Sequence, residues 1–306
     1  MQQDLLIIRN QLHCNAINIY GTDLQRLIEC AETALKSGLH VWLQPRLVDV
    51  RPKELREYLS KAAKAAEQLR IQYDKVIFNV GCELSIFSSG IVPGRVFSQR
   101  AVMLSILWCL IPYYNMKLNS LLRQMTSAVR EHFHGAVTYG AGAWETVDWK
   151  VFDIVGVNHY MDAANKGSYT EDLRKFYKFN KPVAITEFGC CCFEGAEDKG
   201  GGGFQIINWK KPKPQIKGSY IRNEEVQAQY IANLIEIYER ENIYGAFIFT
   251  YMEPTNLYSP DPRYDLDMAS YGVVTAYPKE TDLEAPKLPF RPKKAFEEIA
   301  RLYGSK

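Results

Sequence analysis

The sequence predicts an α/β fold of the parallel-barrel type, short of its first strand. Three observations carry that prediction. Short β-type runs alternate with helical patterns over almost all of the 306 residues, as repeated βα units require. The first strand-to-helix turn, Tyr20-Gly21-Thr22-Asp23, is not the glycine-rich phosphate turn of an open doubly wound sheet. Two apolar runs end abruptly in a carboxylate, at Glu83 and Glu187, where parallel barrels place their working groups.

Residues 1–12 read as a helix ahead of the first visible strand. In a (β/α)8 TIM barrel that strand would be the second, so the first is missing from the chain as read. Seven strands are expected, at 15–20, 40–45, 75–80, 136–139, 154–157, 182–186 and 245–250. Thr22 and Asp23 open a helix with apolar Leu24, Leu27, Ile28, Ala31 and Leu35, and Gly38 closes it. Pro52 stands at the first position of the next helix, whose stripe is Leu55, Tyr58, Leu59, Ala62, Ala66 and Leu69. Further helices are expected at 96–133, broken near Pro112, and at 169–179, 223–241 and 293–303. The stretches 199–203 and 210–217 read together as one exposed loop after the strand at 182–186. With no repeat or long linker, residues 1–306 are expected to form a single domain.

Composition narrows the function. A chain that is 47% hydrophobic and 24% charged folds around a large core. Its 37 basic and 35 acidic side chains give a net charge of +2, with no field to concentrate a polyanion, so nucleic acid is not the expected partner. The apolar stretch 101–114 is interrupted by Ser105 and Pro112 and is too short to span a bilayer, so no membrane partner is expected. The opening MQQDLLIIRN lacks the pattern of a signal peptide, so a cytoplasmic location is expected. Seven cysteines, three of them consecutive at Cys190, Cys191 and Cys192, make no disulfide framework and are expected as reduced thiols. Neighbouring side chains on an extended chain converge poorly on one ion, so no metal is expected, and no cofactor motif is read.

The chemistry gathers at the strand ends. Residues 76–82 are followed by Glu83, and residues 183–186 by Glu187. A carboxylate directly after a buried strand must be either partnered or used. For each glutamate alone a salt-bridged strand end is an even alternative, whereas two such carboxylates are the machinery of glycoside hydrolysis.

The stretches FNVGCE (78–83), VGVNHY (155–160), AITEFG (184–189) and GAFIFTYMEP (245–254) resemble the fourth, sixth, seventh and eighth strands of clan A glycoside hydrolases. More locally, LHCNA (12–16), TEFGCC (186–191) and DLDMASYG (265–272) resemble bacterial proteins labelled putative abortive phage infection proteins, a label without chemistry. The clan A resemblance implies that Glu83 is the general acid/base and Glu187 the nucleophile. It also implies that Asn158 and Tyr160 form the polar sixth-strand end, where a tyrosine steadies the nucleophile. Cys82 stands where clan A usually has an asparagine that holds a sugar hydroxyl. Asn18 and Tyr20 occupy the stretch where an arginine usually stands.

Cys82, Asn158, Tyr160, Trp144 and Tyr251 are therefore the candidate substrate-binding residues, for a small-molecule or oligosaccharide substrate. Trp144, Glu145, Asp148 and Trp149 read equally as a sugar platform and as loop packing with a helix cap. Asp261, Arg263, Asp265 and Asp267 read as a self-contained loop network. His159 is expected to point away from the site, since Asn158 and Tyr160 share the other face. Trp42 and Gln44 share one face of their strand, and the sequence does not say which.

Two functions compete. One is a retaining glycoside hydrolase, or a transglycosylase using the same double displacement. The other is a glycosidase-like barrel used for binding or signalling, with phage defence as one such role. Paired glutamates favour the first, and Cys82 with the missing strand favours the second.

Overall fold

The computed structural model describes residues 1–278 and 290–305. The chain groups into two compact units, one of Met1–Asn158 with Tyr177–Thr186 and one of His159–Phe176 with Glu187–Lys306.

The first unit begins with α1 (Gln2–Asn10), β1 (Ala16–Gly21) and α2 (Leu24–Lys36). Asp23 caps α2 by accepting from the Arg26 N–H at 3.1 Å, which satisfies one of the donors a helix start leaves open. Leu27, Ala31, Ala34 and Leu35 form its buried stripe. After β2 (His40–Pro45), Pro52 opens α3 (Pro52–Tyr73), and Asp74 ends it in the left-handed conformation. β3 (Val76–Cys82) leads into the single turn α4 (Leu84–Phe87). The long helix expected at 96–133 is two helices, α5 (Phe97–Ile106) and α6 (Ile111–Arg130), with a 3-10 turn over Trp108–Leu110. The break falls near Pro112 as expected, and Pro112 itself stands in the first turn of α6, where a missing N–H costs no helical hydrogen bond. β4 (Val137–Ala141) and β5 (Val155–Asn158) follow, and β1 to β5 pair in parallel with their neighbours.

The second unit holds α7 (Tyr169–Arg174), while β6 (Val183–Phe188) starts in the first unit and ends in the second. A 3-10 stretch (Gly200–Ile206), the small hairpin β7 (Ile207–Asn208) and β8 (Gln215–Ile216), and α8 (Glu224–Arg240) come next. The unit closes with β9 (Gly245–Ile248), the antiparallel pair β10 (Val274–Ala276) and β11 (Phe290–Pro292), and α9 (Lys294–Gly304).

Seven strands form the main sheet, in the order β1-β2-β3-β4-β5-β6-β9. Burial follows that order. β4 and β5 are buried at every residue, as strands covered on both faces must be, whereas β1 and β9 have no buried residue.

The stretch 199–203 departs from expectation. Gly200 and Gly203 are buried, and the Tyr271 hydroxyl donates to the Gly200 carbonyl at 3.0 Å while accepting from the Gly203 N–H at 3.1 Å. A Cβ on Gly203 would come within 2.7 Å of the Cys191 sulfur. These glycines mark close packing, a pattern that composition alone cannot separate from a flexible linker. Lys210, Lys211 and Lys213 are exposed, as expected of the loop.

Asp265 and Asp267 are buried. Arg222 donates to Asp265 at 3.0 Å and to Asp267 at 2.8 Å, and the fully buried Lys293 ammonium lies 3.0 Å from Asp267. Arg263 instead pairs with Asp261 at the surface. The loop network is thus two networks, one fastening β11 and the start of α9. Removing one partner of a buried ion cluster leaves the others uncompensated, so Asp267→Ala should cost about 3 to 5 kcal/mol in urea unfolding. Arg263→Ala, at the exposed pair, should leave the unfolding midpoint where it is.

Candidate functional site

β3 delivers Glu83. The run Val76–Cys82 is buried at all but one residue, so the chain leaves the sheet with Glu83 as the first side chain beyond it. Glu83 has φ 46°, a left-handed conformation costly for a residue with a Cβ. Two hydrogen bonds enforce it: the Glu83 N–H donates to the Gly140 carbonyl at 2.9 Å, and the Leu84 N–H donates to the Tyr139 hydroxyl at 2.7 Å.

The carboxyl of Glu83 accepts from the Asn158 amide at 3.0 Å. The same amide nitrogen lies 3.2 Å from the Cys82 sulfur, and the Thr186 hydroxyl donates to Asn158 Oδ1 at 2.7 Å. Cys82, Glu83 and Asn158 are therefore brought together. Burial pushes the Glu83 carboxyl above its ordinary range, while the Asn158 hydrogen bond and the Arg46 charge oppose the shift. Arg46 directly follows β2, and its guanidinium lies 4.2 Å from the centre of the Phe87 ring. The rule that singled out the glutamates, a polar residue at a strand end, applies equally to Arg46.

Behind the Glu83 turn stands Glu145. It accepts from the Ser85 N–H at 3.0 Å, the Ser85 hydroxyl at 2.5 Å, the Tyr139 hydroxyl at 2.7 Å and the Gly142 N–H at 3.1 Å. The Trp144 indole donates to the Ser85 hydroxyl at 2.9 Å. Trp144 is thus tied to the same turn, while Asp148 caps a short 3-10 helix containing the buried Trp149. Of that segment's two readings, loop packing with a cap accounts for Asp148 and Trp149. Gln44 is buried and accepts from Asn18 at 2.9 Å and Asn79 at 3.2 Å, a polar link across β1, β2 and β3.

The second unit carries Glu187. The His159 N–H donates to the Glu187 carbonyl at 3.0 Å, and the Tyr160 hydroxyl reaches Glu187 Oε2 at 3.4 Å. The Tyr160 ring meets the Tyr271 ring edge-on at 5.9 Å, and a Cβ on Gly201 would touch it. His159 stacks on Tyr169 of α7 at 4.4 Å. Tyr251 packs edge-on against Phe290 at 5.8 Å, and its carbonyl accepts from Val273 and Val274. Glu253, which the sequence reading did not single out, accepts from Asn256 at 2.7 Å, and burial pushes its carboxyl up to about 7. Among the described residues no group of three or more His, Cys, Asp or Glu is arranged to hold a metal ion.

Glu145 carries a testable titration. Burial pushes its carboxyl up to about 7, opposed by the Ser85 and Tyr139 hydrogen bonds and reinforced by the charge of Glu83. A carboxyl that holds its proton more tightly when folded loses stability as pH rises from its unfolded value, near 4.5, to about 7. Glu145→Gln should flatten the pH dependence of unfolding over that window by on the order of 3 kcal/mol. An unchanged slope in urea titrations would remove Glu145 as its source.

No family model matches the sequence, and no curated protein does. Solved structures match it closely in fold. A GH113 β-1,4-mannanase complex aligns over 100% of this chain and 93% of its own, with a TM-score of 0.63 at 16% identity. A GH113 β-mannanase from Alicyclobacillus acidocaldarius aligns over 99% and 91%, with 0.62 at 14% identity. A β-glucuronidase from Ruminococcus gnavus aligns over 99% of this chain and 45% of its own, with 0.57 at 12% identity. At these identities the likeness shows the fold alone: the chain has a TIM-barrel fold, with seven strands in its sheet, like that of these neighbours.

Proposed function

We propose that the protein is a retaining glycoside hydrolase or transglycosylase acting by double displacement, with Glu187 as nucleophile and Glu83 as general acid/base. The observation that carries this reading is the difference between the two carboxyls' surroundings. Glu83 is held by a neutral amide and pushed up by burial, which suits a proton donor. Glu187 instead accepts a hydrogen bond from the Tyr160 hydroxyl at 3.4 Å, the contact expected of a tyrosine that steadies a nucleophile. The fold and its solved neighbours support a carbohydrate substrate. Since two of those neighbours are β-mannanases, β-linked mannosides are the first class to test.

In the first step a Glu187 carboxylate oxygen bonds to the anomeric carbon as the glycosidic C–O bond breaks. Glu83 gives its proton to the leaving oxygen. In the second, the Glu83 carboxylate takes a proton from water, or from a sugar hydroxyl in transglycosylation, as that oxygen displaces Glu187. Glu145 touches no reacting atom in this scheme. It fixes the Glu83–Ser85 turn from behind as a positioning residue.

Cys82 favours a second reading. A thiol there is a weaker hydrogen-bond partner for a sugar hydroxyl than an amide would be, which suits a barrel that binds a glycan without cleaving it.

Aryl β-mannosides, β-glucosides and β-glucuronides, with β-mannan oligosaccharides, separate the two readings. Glu187→Gln should abolish turnover. Glu83→Gln should spare the first step on aryl glycosides whose leaving group needs no proton, while slowing poorer leaving groups. Tyr160→Phe should lower kcat/KM by an amount equivalent to about 1 to 3 kcal/mol, the range for a hydrogen bond to a charged group. Saturable binding of a mannan oligosaccharide without turnover would select the binding reading.

A further inference from the structure

α5 and α6 meet at an elbow, with 93° between Phe97–Ile106 and Trp108–Arg130. Its outer side is apolar: Val102, Ile106, Trp108 and Met116 are 57%, 62%, 70% and 60% exposed, and Leu110 and Tyr113 lie exposed among them. Single exposed apolar residues need no explanation, but a run of this kind at one bend does.

The charge pattern around it is one-sided. Residues 101–116 contain no charged side chain, and no acid occurs between Glu83 and Glu131, a stretch that holds Arg95, Arg100, Lys117, Arg123 and Arg130. Arg100 is buried against Asp49, Arg130 pairs with Asp153, and Arg123 lies 4.0 Å from Asp148. Among the described residues Arg95 and Lys117 have no acidic partner, and they flank the apolar run on either side.

We infer that this elbow is a membrane-docking site whose occupant is the interfacial zone of an anionic phospholipid bilayer. No single helix is long and apolar enough to cross a membrane, and α5 has only 10 residues, roughly 15 Å of helix. The sequence-based expectation of no membrane partner rested on the lack of a span, and an insertion lying in the interface needs none. A tryptophan and a tyrosine at the bend suit the headgroup level, the aliphatic side chains suit the acyl boundary, and flanking cations suit anionic lipid. A second copy of the chain suits the elbow poorly, because a two-fold contact would set the same basic flanks together with no acid between them.

Flotation of the full chain with vesicles tests this. With equal parts phosphatidylcholine and phosphatidylglycerol the protein should rise with the lipid, and with phosphatidylcholine alone it should rise far less. Trp108→Ser combined with Ile106→Ser should lower partitioning roughly tenfold or more, from the apolar area lost. Val102→Ser with Met116→Ser, on the two arms, should act in the same direction as an independent pair. All four side chains are exposed, so the melting temperature should not move. Arg95→Gln with Lys117→Gln should weaken binding to the anionic vesicles at low salt and less at high salt. Failure to rise with either vesicle overturns the inference. So does self-association in sedimentation velocity that Trp108→Ser with Ile106→Ser abolishes, because the elbow would then be a contact between copies.

Discussion

The Asn158 amide is the joint on which the Glu83 end of the first unit depends. It receives the Thr186 hydroxyl on its oxygen and gives its N–H to Glu83, beside the Cys82 sulfur. One side chain thus ties the ends of β3, β5 and β6, and both ends of its dipole are engaged. A buried amide so committed cannot turn without leaving polar groups unpaired, at about 1 to 3 kcal/mol each, so the Glu83 carboxyl is held in place by the sheet itself. The left-handed backbone at Glu83 is the local cost of aiming that carboxyl, and Tyr139 and Gly140 hold it there.

The rest of the first unit supports that arrangement in layers. The Tyr139 hydroxyl donates to Glu145 and accepts the Leu84 N–H, so the core of β4 is coupled to the turn that presents Glu83. Arg46 adds a positive charge whose influence on Glu83 opposes burial. In the second unit the equivalent work falls to aromatic packing. Tyr271 pins Gly200 and Gly203 through its hydroxyl and meets Tyr160 through its ring, while Tyr160 reaches Glu187. A hydroxyl with two backbone partners has little freedom, and the orientation of Tyr160 inherits that rigidity.

Much of this was legible in the residues. Strand and helix periods differ so sharply that the seven strands of the sheet could be read with boundaries near those observed, and Asp23 and Pro52 announced their helices by the chemistry of helix starts. Glu83 and Glu187 stood out because charge after an apolar run is expensive. What was not legible depended on distance across the fold. Thr186 is an unremarkable strand residue until Asn158 is placed beside it, and Glu145 becomes a clamp only when Ser85 and Tyr139 converge on it. The glycines at 200–203 carry opposite meanings in a linker and in a packed turn, and only their neighbours decide. The helix break, by contrast, was legible near Pro112, because a proline is tolerated in the first turn of a new helix and not in a helix interior.

The measurement that reaches furthest into the chemistry is covalent trapping. A 2-deoxy-2-fluoro aryl glycoside slows both displacement steps, and a good leaving group restores the first, so the glycosyl ester accumulates and can be mapped by peptide mass spectrometry. Double displacement predicts one sugar attached through the Glu187 carboxyl, with labelling lost in Glu187→Gln. A label on another residue, or turnover that Glu187→Gln leaves intact, would contradict it.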